Sequence, residues 1–240
     1  MRKRLNTNKL SLTTVNPFKG KASLVLRSLL AHPEKSWTGT KIAINLGLST
    51  AWVNRVIGTL EIEQIIKRSG LGPSDKIQLT KPKELIKKWK QHYHIQQNVF
   101  YHYLVQEKNP VKQLNNLSTK IGFDYAITGY AAANTINPIV HNAIPMAYLW
   151  PKSNQQNDFE SCVFKIENIF NFIPVRKNAN IIIIKPIQKN AALFDSYTKN
   201  KTHYVSPLQL YLDLLGLDRG EFVIKELETY WEKRNLSYAL

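Results

Sequence analysis

The chain has 240 residues, and its 33 Lys and Arg against 17 Asp and Glu give a formal net charge of +16, with an isoelectric point near 9.8. Hydrophobic residues at 43% beside charged residues at 21% are enough to bury a core, which excludes wholesale disorder and fibrous or low-complexity chains. The single cysteine, Cys162, excludes an intrachain disulfide and a cysteine-based structural zinc site, and the longest aliphatic run, residues 181–184, is far short of the roughly 20 apolar residues of a spanning helix.

Residues 1–20 mix Arg2, Lys3, Arg4, Lys9 and Lys19 with Asn, Ser and Thr, without periodicity, and are expected to form a basic flexible arm. No apolar stretch follows the basic start, so it is no secretory signal peptide; the expected location is a reducing, cytoplasmic one. Over residues 21–32, Ala22, Val25, Leu26, Leu29 and Leu30 recur at helical spacing, and Pro33 ends the helix. Thr38 is placed to cap a second helix with Ile42, Ala43 and Leu46 inward, stopped by Gly47. Ser49 is placed to cap a third, in which Val53, Val56, Ile57 and Leu60 fall on one face. Its other face carries Thr50, Trp52, Asn54 and Arg55. Residues 65–68 and 76–79 read as two strands joined by the tight loop 69–75. A lysine-rich helix follows from Pro82 to about residue 94, with Leu85, Ile86 and Trp89 as its packing stripe.

In the second half, residues 99–105 form an aromatic-rich strand candidate, and Pro110 opens a helix with Val111, Leu114 and Leu117 inward. Strand, turn and short helix follow over 125–133, then strands at 146–150, 181–185 and 203–205, with a helix at 159–169 between the first two. Ser206-Pro207 caps a helix through 215, stopped at Gly216, and 218–221 starts a last helix with Phe222, Ile224, Leu227 and Trp231 on its apolar side.

Residues 1–94 hold 18 Lys and Arg against 5 Asp and Glu, a balance of +13, whereas 95–240 hold 15 and 12, a balance of +3. That asymmetry points to a polyanionic partner for the N-terminal part. Helix, short helix, glycine turn, capped helix and a two-stranded loop is the order of a winged helix-turn-helix, whose second motif helix enters the major groove. The candidate DNA contacts are Ser49, Thr50, Trp52, Asn54 and Arg55 at the start of that helix, Lys67, Arg68 and Lys76 on the wing, and Arg2, Lys3 and Arg4 in the arm. The competing view is an ordinary helical hairpin with Arg55 in a surface ion pair, and for Trp52 packing competes evenly with contact. The expected fold is α+β: the winged helix-turn-helix over 21–94, then a C-terminal α/β domain with a mixed sheet over 95–240.

Enzyme patterns are missing from the sequence. Gly70-x-Gly72 has Asp75 where a dinucleotide fingerprint needs a third glycine, and there is no GxSxG, HExxH or Walker A run. His92 and His94 diverge on a helix, and His102, His141 and His203 are isolated. Cys162 reads as a small core residue. No catalytic residue, cofactor or metal is expected.

At Tyr125-Ala-Ile-Thr-Gly-Tyr-Ala-Ala-Ala133 and Val205-Ser-Pro-Leu-Gln-Leu-Tyr-Leu-Asp213, with Arg219-Gly220-Glu221 after them, the sequence resembles the AbiEi-type antitoxins of type IV toxin-antitoxin systems. Ile127 replaces the family's usual Leu, and Phe222-Val223-Ile224 replaces its small residues. The resemblance implies an N-terminal winged helix, a phage-defence context and a homodimer that represses its own operon at an inverted repeat. It also implies functional opposition to a nucleotidyltransferase-like toxin without a tight complex. A ligand-responsive regulator is the alternative. An RNA-directed enzyme lacks a compact acidic or His/Cys cluster, and a membrane-surface protein lacks a strongly exposed apolar helix face.

Overall fold

The computed structural model describes residues 15–70, 75–152 and 158–233. The arm residues Arg2, Lys3 and Arg4, the loop positions 71–74 and the Trp231 side chain lie outside what is described. Two compact units divide the chain at 87/88, inside a continuous helix, rather than at residue 94 where the charge balance changes.

The first unit contains α1 (Ala22–Ala31), α2 (Gly39–Leu46), α3 (Thr50–Ile62), and the hairpin of β1 (Ile66–Ser69) and β2 (Lys76–Leu79). The helix across the division is α4 (Pro82–Lys90). Helix starts follow from hydroxyl caps: Thr38 Oγ1 accepts from the Lys41 N–H at 3.2 Å and Ser49 Oγ from the Trp52 N–H at 3.2 Å. Gly47, at φ +62°, ends α2 in the left-handed conformation that a side chain disfavours. Trp37 forms an isolated antiparallel bridge to β2, exchanging backbone hydrogen bonds of 2.8 and 2.7 Å with Ile77. Leu26, Leu29, Ile42, Val53, Val56, Ile57, Leu60 and Ile77 are fully buried. α1 is buried from Ala22 through Leu30 rather than along one stripe.

The second unit is built on a seven-stranded sheet. Its strands are β3 (Val99–Leu104), β4 (Phe123–Thr128), β5 (Met146–Pro151), β6 (Ile173–Pro174), β7 (Ile181–Lys185), β8 (Tyr197–Lys199) and β9 (Thr202–Tyr204), in the order β6-β3-β7-β5-β4-β9-β8. The sheet is mixed: β5 runs parallel to β7 and β4 to β9, and the other pairs are antiparallel. Its helices are α5 (Pro110–Leu117), α6 (Gly129–Ala133), α7 (Phe159–Phe170), α8 (Lys189–Ala192), α9 (Pro207–Leu215) and α10 (Gly220–Lys233).

Alternation along each strand assigns the two faces. Tyr101 packs on Phe159 at the start of α7, and Tyr103 donates to Glu167 of the same helix at 2.8 Å. Thr128 and Tyr148 point the other way, to Asp213 on α9. α5 runs on into a π-helical turn, Ser118–Gly122, that delivers the chain to β4. On α10 the buried side is Val223, Ile224 and Leu227, while Phe222 is exposed: positions 223, 224 and 227 form the i, i+1, i+4 stripe and 222 falls beside it. Among the described residues no helix is long and apolar enough to cross a membrane.

Candidate functional site

Two places bring the sequence-derived residues together. In the first unit, Ser49, Thr50, Asn54 and Arg55 are exposed at the start of α3, and Trp52 is half-buried. The Ser49 oxygen is used as a cap acceptor, which leaves its hydroxyl proton free to donate outward. The Arg55 side chain makes no ion pair among the described residues.

The hairpin sorts its cations by parity. Ile66 pairs with Leu79 and Arg68 with Ile77, and Ile66, Ile77 and Leu79 are buried, so Arg68 shares the inward face. Its Nη2 donates to Asn54 Oδ1 on α3 at 3.1 Å, and its Nε lies 3.1 Å from Asp75 Oδ2. Arg68, a candidate contact to the DNA backbone or minor groove, is in the free protein a clamp between hairpin and helix. Asn54 is backed by Gly39, at which an added Cβ would lie 2.8 Å from Oδ1. Oδ1 keeps a second lone pair beside the Arg68 bond, so the clamp fixes the orientation of the Asn54 amide without exhausting its oxygen. Lys67 and Lys76 fall on the other parity and are exposed.

In the second unit, the blocks that carry the resemblance converge. Asp213 is fully buried and accepts four hydrogen bonds: from Thr128 Oγ1 at 2.5 Å, Tyr93 Oη at 2.5 Å, Tyr148 Oη at 2.8 Å and Gln209 Nε2 at 2.7 Å. Burial pushes its carboxyl up to about 6, against the pull of those hydrogen bonds in the order Thr128, Tyr93, Tyr148, Gln209. Burial, then the Asp213 charge, holds the Tyr148 phenol well above its ordinary value, so it stays a donor. Gly129 follows Thr128 at φ +65°, where a Cβ would meet Met146 Sδ at 3.0 Å and Leu217 Cδ1 at 3.4 Å. Tyr130 then lies within the field of Asp218 and Arg219: burial and Asp218 raise its phenol, Arg219 lowers it.

Periodicity did not reveal this network. The signal was present as Gln209 and Asp213, two polar residues at i and i+4 on the buried side of a helix otherwise made of leucines, Pro207 and Tyr211. Cys162 is buried, and burial pushes its thiol up. No group of three or more His, Cys, Asp and Glu among the described residues could hold a metal ion. No family model, curated protein or solved structure matches the chain.

Proposed function

We propose that the N-terminal unit is a winged helix-turn-helix that binds double-stranded DNA, and that the chain is a dimeric repressor of its own operon. In this proposal it acts by binding rather than catalysis, as an antitoxin of the AbiEi type against a nucleotidyltransferase-like toxin. The observation that carries the DNA reading is the face where capped α3 exposes Thr50 and Arg55 while Arg68 pins the hairpin beside them, with Lys67 and Lys76 directed outward. The backbone bridge from Trp37, between α1 and α2, to Ile77 of β2 supports this reading by tying the hairpin to the helices.

The test is binding of the full chain to a duplex from upstream of its own gene and to a scrambled duplex, across about 50 to 200 mM salt. A steep salt slope with a preference of about a thousandfold for the upstream duplex is expected; equal weak affinity for both refutes sequence-specific repression. A second reading, regulation by a small molecule held in the C-terminal unit, is favoured by a polar cavity between the π-helical turn and β4.

A further inference from the structure

β3 and β7 have the composition of strands covered on both sides. A strand with one solvated face alternates apolar and polar residues, whereas one buried on both faces runs apolar throughout; β7 reads Ile181-Ile-Ile-Ile-Lys185 and β3 reads Val99-Phe-Tyr-His-Tyr-Leu104. The α7 side of the sheet takes Tyr101 and Tyr103. The register carries the other side across the strands: Tyr148 lies beside Ile184 and Ile184 beside Phe100, His102 lies beside Ile182, and Leu104 beside Ile173. Val175 continues that row, its N–H donating to the His102 carbonyl at 2.9 Å.

On this second side α6 and α9 cover β4 and β5, where Thr128 and Tyr148 reach Asp213. Toward β3 and β6 the cover stops. Leu104 is 39% exposed and Ile173 46%, His102 is exposed, and Phe100, Val175 and Ile182 are half-buried. The result is an open sheet face three strands wide, apolar apart from one imidazole. Its strand positions carry no Lys, Arg, Asp or Glu.

We propose that this sheet face is where a second copy of the chain docks, the two faces packing sheet against sheet about 10 Å apart around a two-fold axis. Charge selects the occupant. Each copy carries +16, so two copies repel wherever their cations meet, and a surface free of formal charge is one that can lie against its own equivalent. A nucleic acid finds no cation there to neutralise its phosphates. The apolar side chains of one face need apolar side chains opposite them, which an identical face supplies. The surface rests on the homodimer reading above and gives that dimer its contact.

Sedimentation equilibrium of the full chain at micromolar concentrations should show a dimer. Leu104→Lys and Ile173→Lys should each raise its Kd about a hundredfold or more, because a two-fold axis makes every change twice and sets like charges across the contact. Phe164→Lys, at an exposed apolar position on α7, should leave the dimer unchanged. All three positions are exposed in the single chain, so circular dichroism should show the variants folded. His102→Cys gives a readout that does not depend on weakening the dimer: Cys162 is buried, so a short bismaleimide should link two copies of the variant and leave the wild type unlinked. A dimer that survives both lysine substitutions, or a dimeric His102→Cys that does not cross-link, overturns this surface and leaves the homodimer reading standing. Equal dissociation by Phe164→Lys marks a general response to added charge and overturns the surface as well. A wild-type chain that stays monomeric overturns both, whether the face is then covered by the chain's own residues 234–240 or by a different protein.

Discussion

Replacing Asp213 tests the convergence of the C-terminal blocks. In Asp213→Ala, four donors lose their acceptor at once. Tyr93, Tyr148 and Gln209 retain contacts with one another, at 3.0 Å between the phenols and 2.8 Å from Gln209 Nε2 to Tyr93 Oη, but Thr128 loses the one acceptor of its hydroxyl. Taking about 1 to 3 kcal/mol for each donor left unmet, the loss is about 3 to 5 kcal/mol, a fall in Tm of about 6 to 20 °C for a protein of this size. Asp213→Asn differs. Its oxygen keeps the three contacts now made by Oδ1, and its amide faces Thr128 Oγ1, which can accept; the cost at pH 7 is about 1.5 kcal/mol or less.

Acidity separates the two forms further. The folded carboxyl sits near 6 against an ordinary 3.8, so the folded protein holds this proton more tightly than the unfolded chain. The stability Asp213 contributes therefore falls as pH rises from about 4 to 6, by about 3 kcal/mol in all. The asparagine variant lacks this titration, so its deficit against the wild type should widen between pH 7 and pH 5. Thermal unfolding by circular dichroism at both pH values reads all three effects. A Tm for Asp213→Ala within about 2 °C of wild type, an Asn variant as damaged as the Ala variant, or a deficit that does not change with pH would refute the reasoning.

Two further substitutions follow from the geometry. Arg55→Ala should weaken DNA binding by about 1 to 3 kcal/mol and, if the contact is to phosphate, lower the logarithmic salt slope by about 0.9. Arg68→Ala should weaken binding with its slope unchanged, because Asp75 and Asn54 already hold that guanidinium; fluorescence anisotropy against salt distinguishes them, and a slope reduced in Arg68→Ala would put the side chain on a phosphate. Gly220→Ala should destabilise by about 3 kcal/mol or more, since its Cβ would fall 1.5 Å from the Leu214 carbonyl oxygen. Gly58→Ala, in open space on α3, should be neutral or stabilise by up to about 1 kcal/mol; equal denaturation midpoints for the two would contradict the difference in packing.

What the sequence made legible was local. Ser49 and Thr38 as caps, Gly47 as a stop and the apolar spacing of α3 are interactions within four residues, and each stands where the sequence placed it. The inward turn of Arg68 was legible in principle from its parity with Ile66, but opposite charge pairing with Asp75 and the reach to Asn54 depend on how the hairpin folds onto α3. Strands at 99–105, 146–150 and 181–185 were visible as β-branched and aromatic runs, but their order was not, because β4 takes β9 as a parallel neighbour across a long excursion of chain. The π-helical turn had no sequence signal, since Ser118-Thr119-Lys120 reads as an ordinary helix end. The cavity bordered by Ser118, Thr119 and His203 needs that turn, β4 and β9 together.

The Asp213 network also orders events in time. Thr128 and Asp213 are 85 positions apart and Tyr93 and Asp213 are 120 apart, whereas Asn54 and Arg68 are separated by 14. On a ribosome adding about 5 to 20 residues per second, Asp213 follows Thr128 by about 4 to 17 s. For the last 65 residues of that interval the nascent chain carries the hydroxyls of both Thr128 and Tyr148 with no Asp213 carboxylate to receive them, while the hairpin clamp has had its partners for many seconds. A chain terminated before α9 would remain in that unfinished state, a substrate for chaperones and proteases, with its N-terminal cations already arranged on their face.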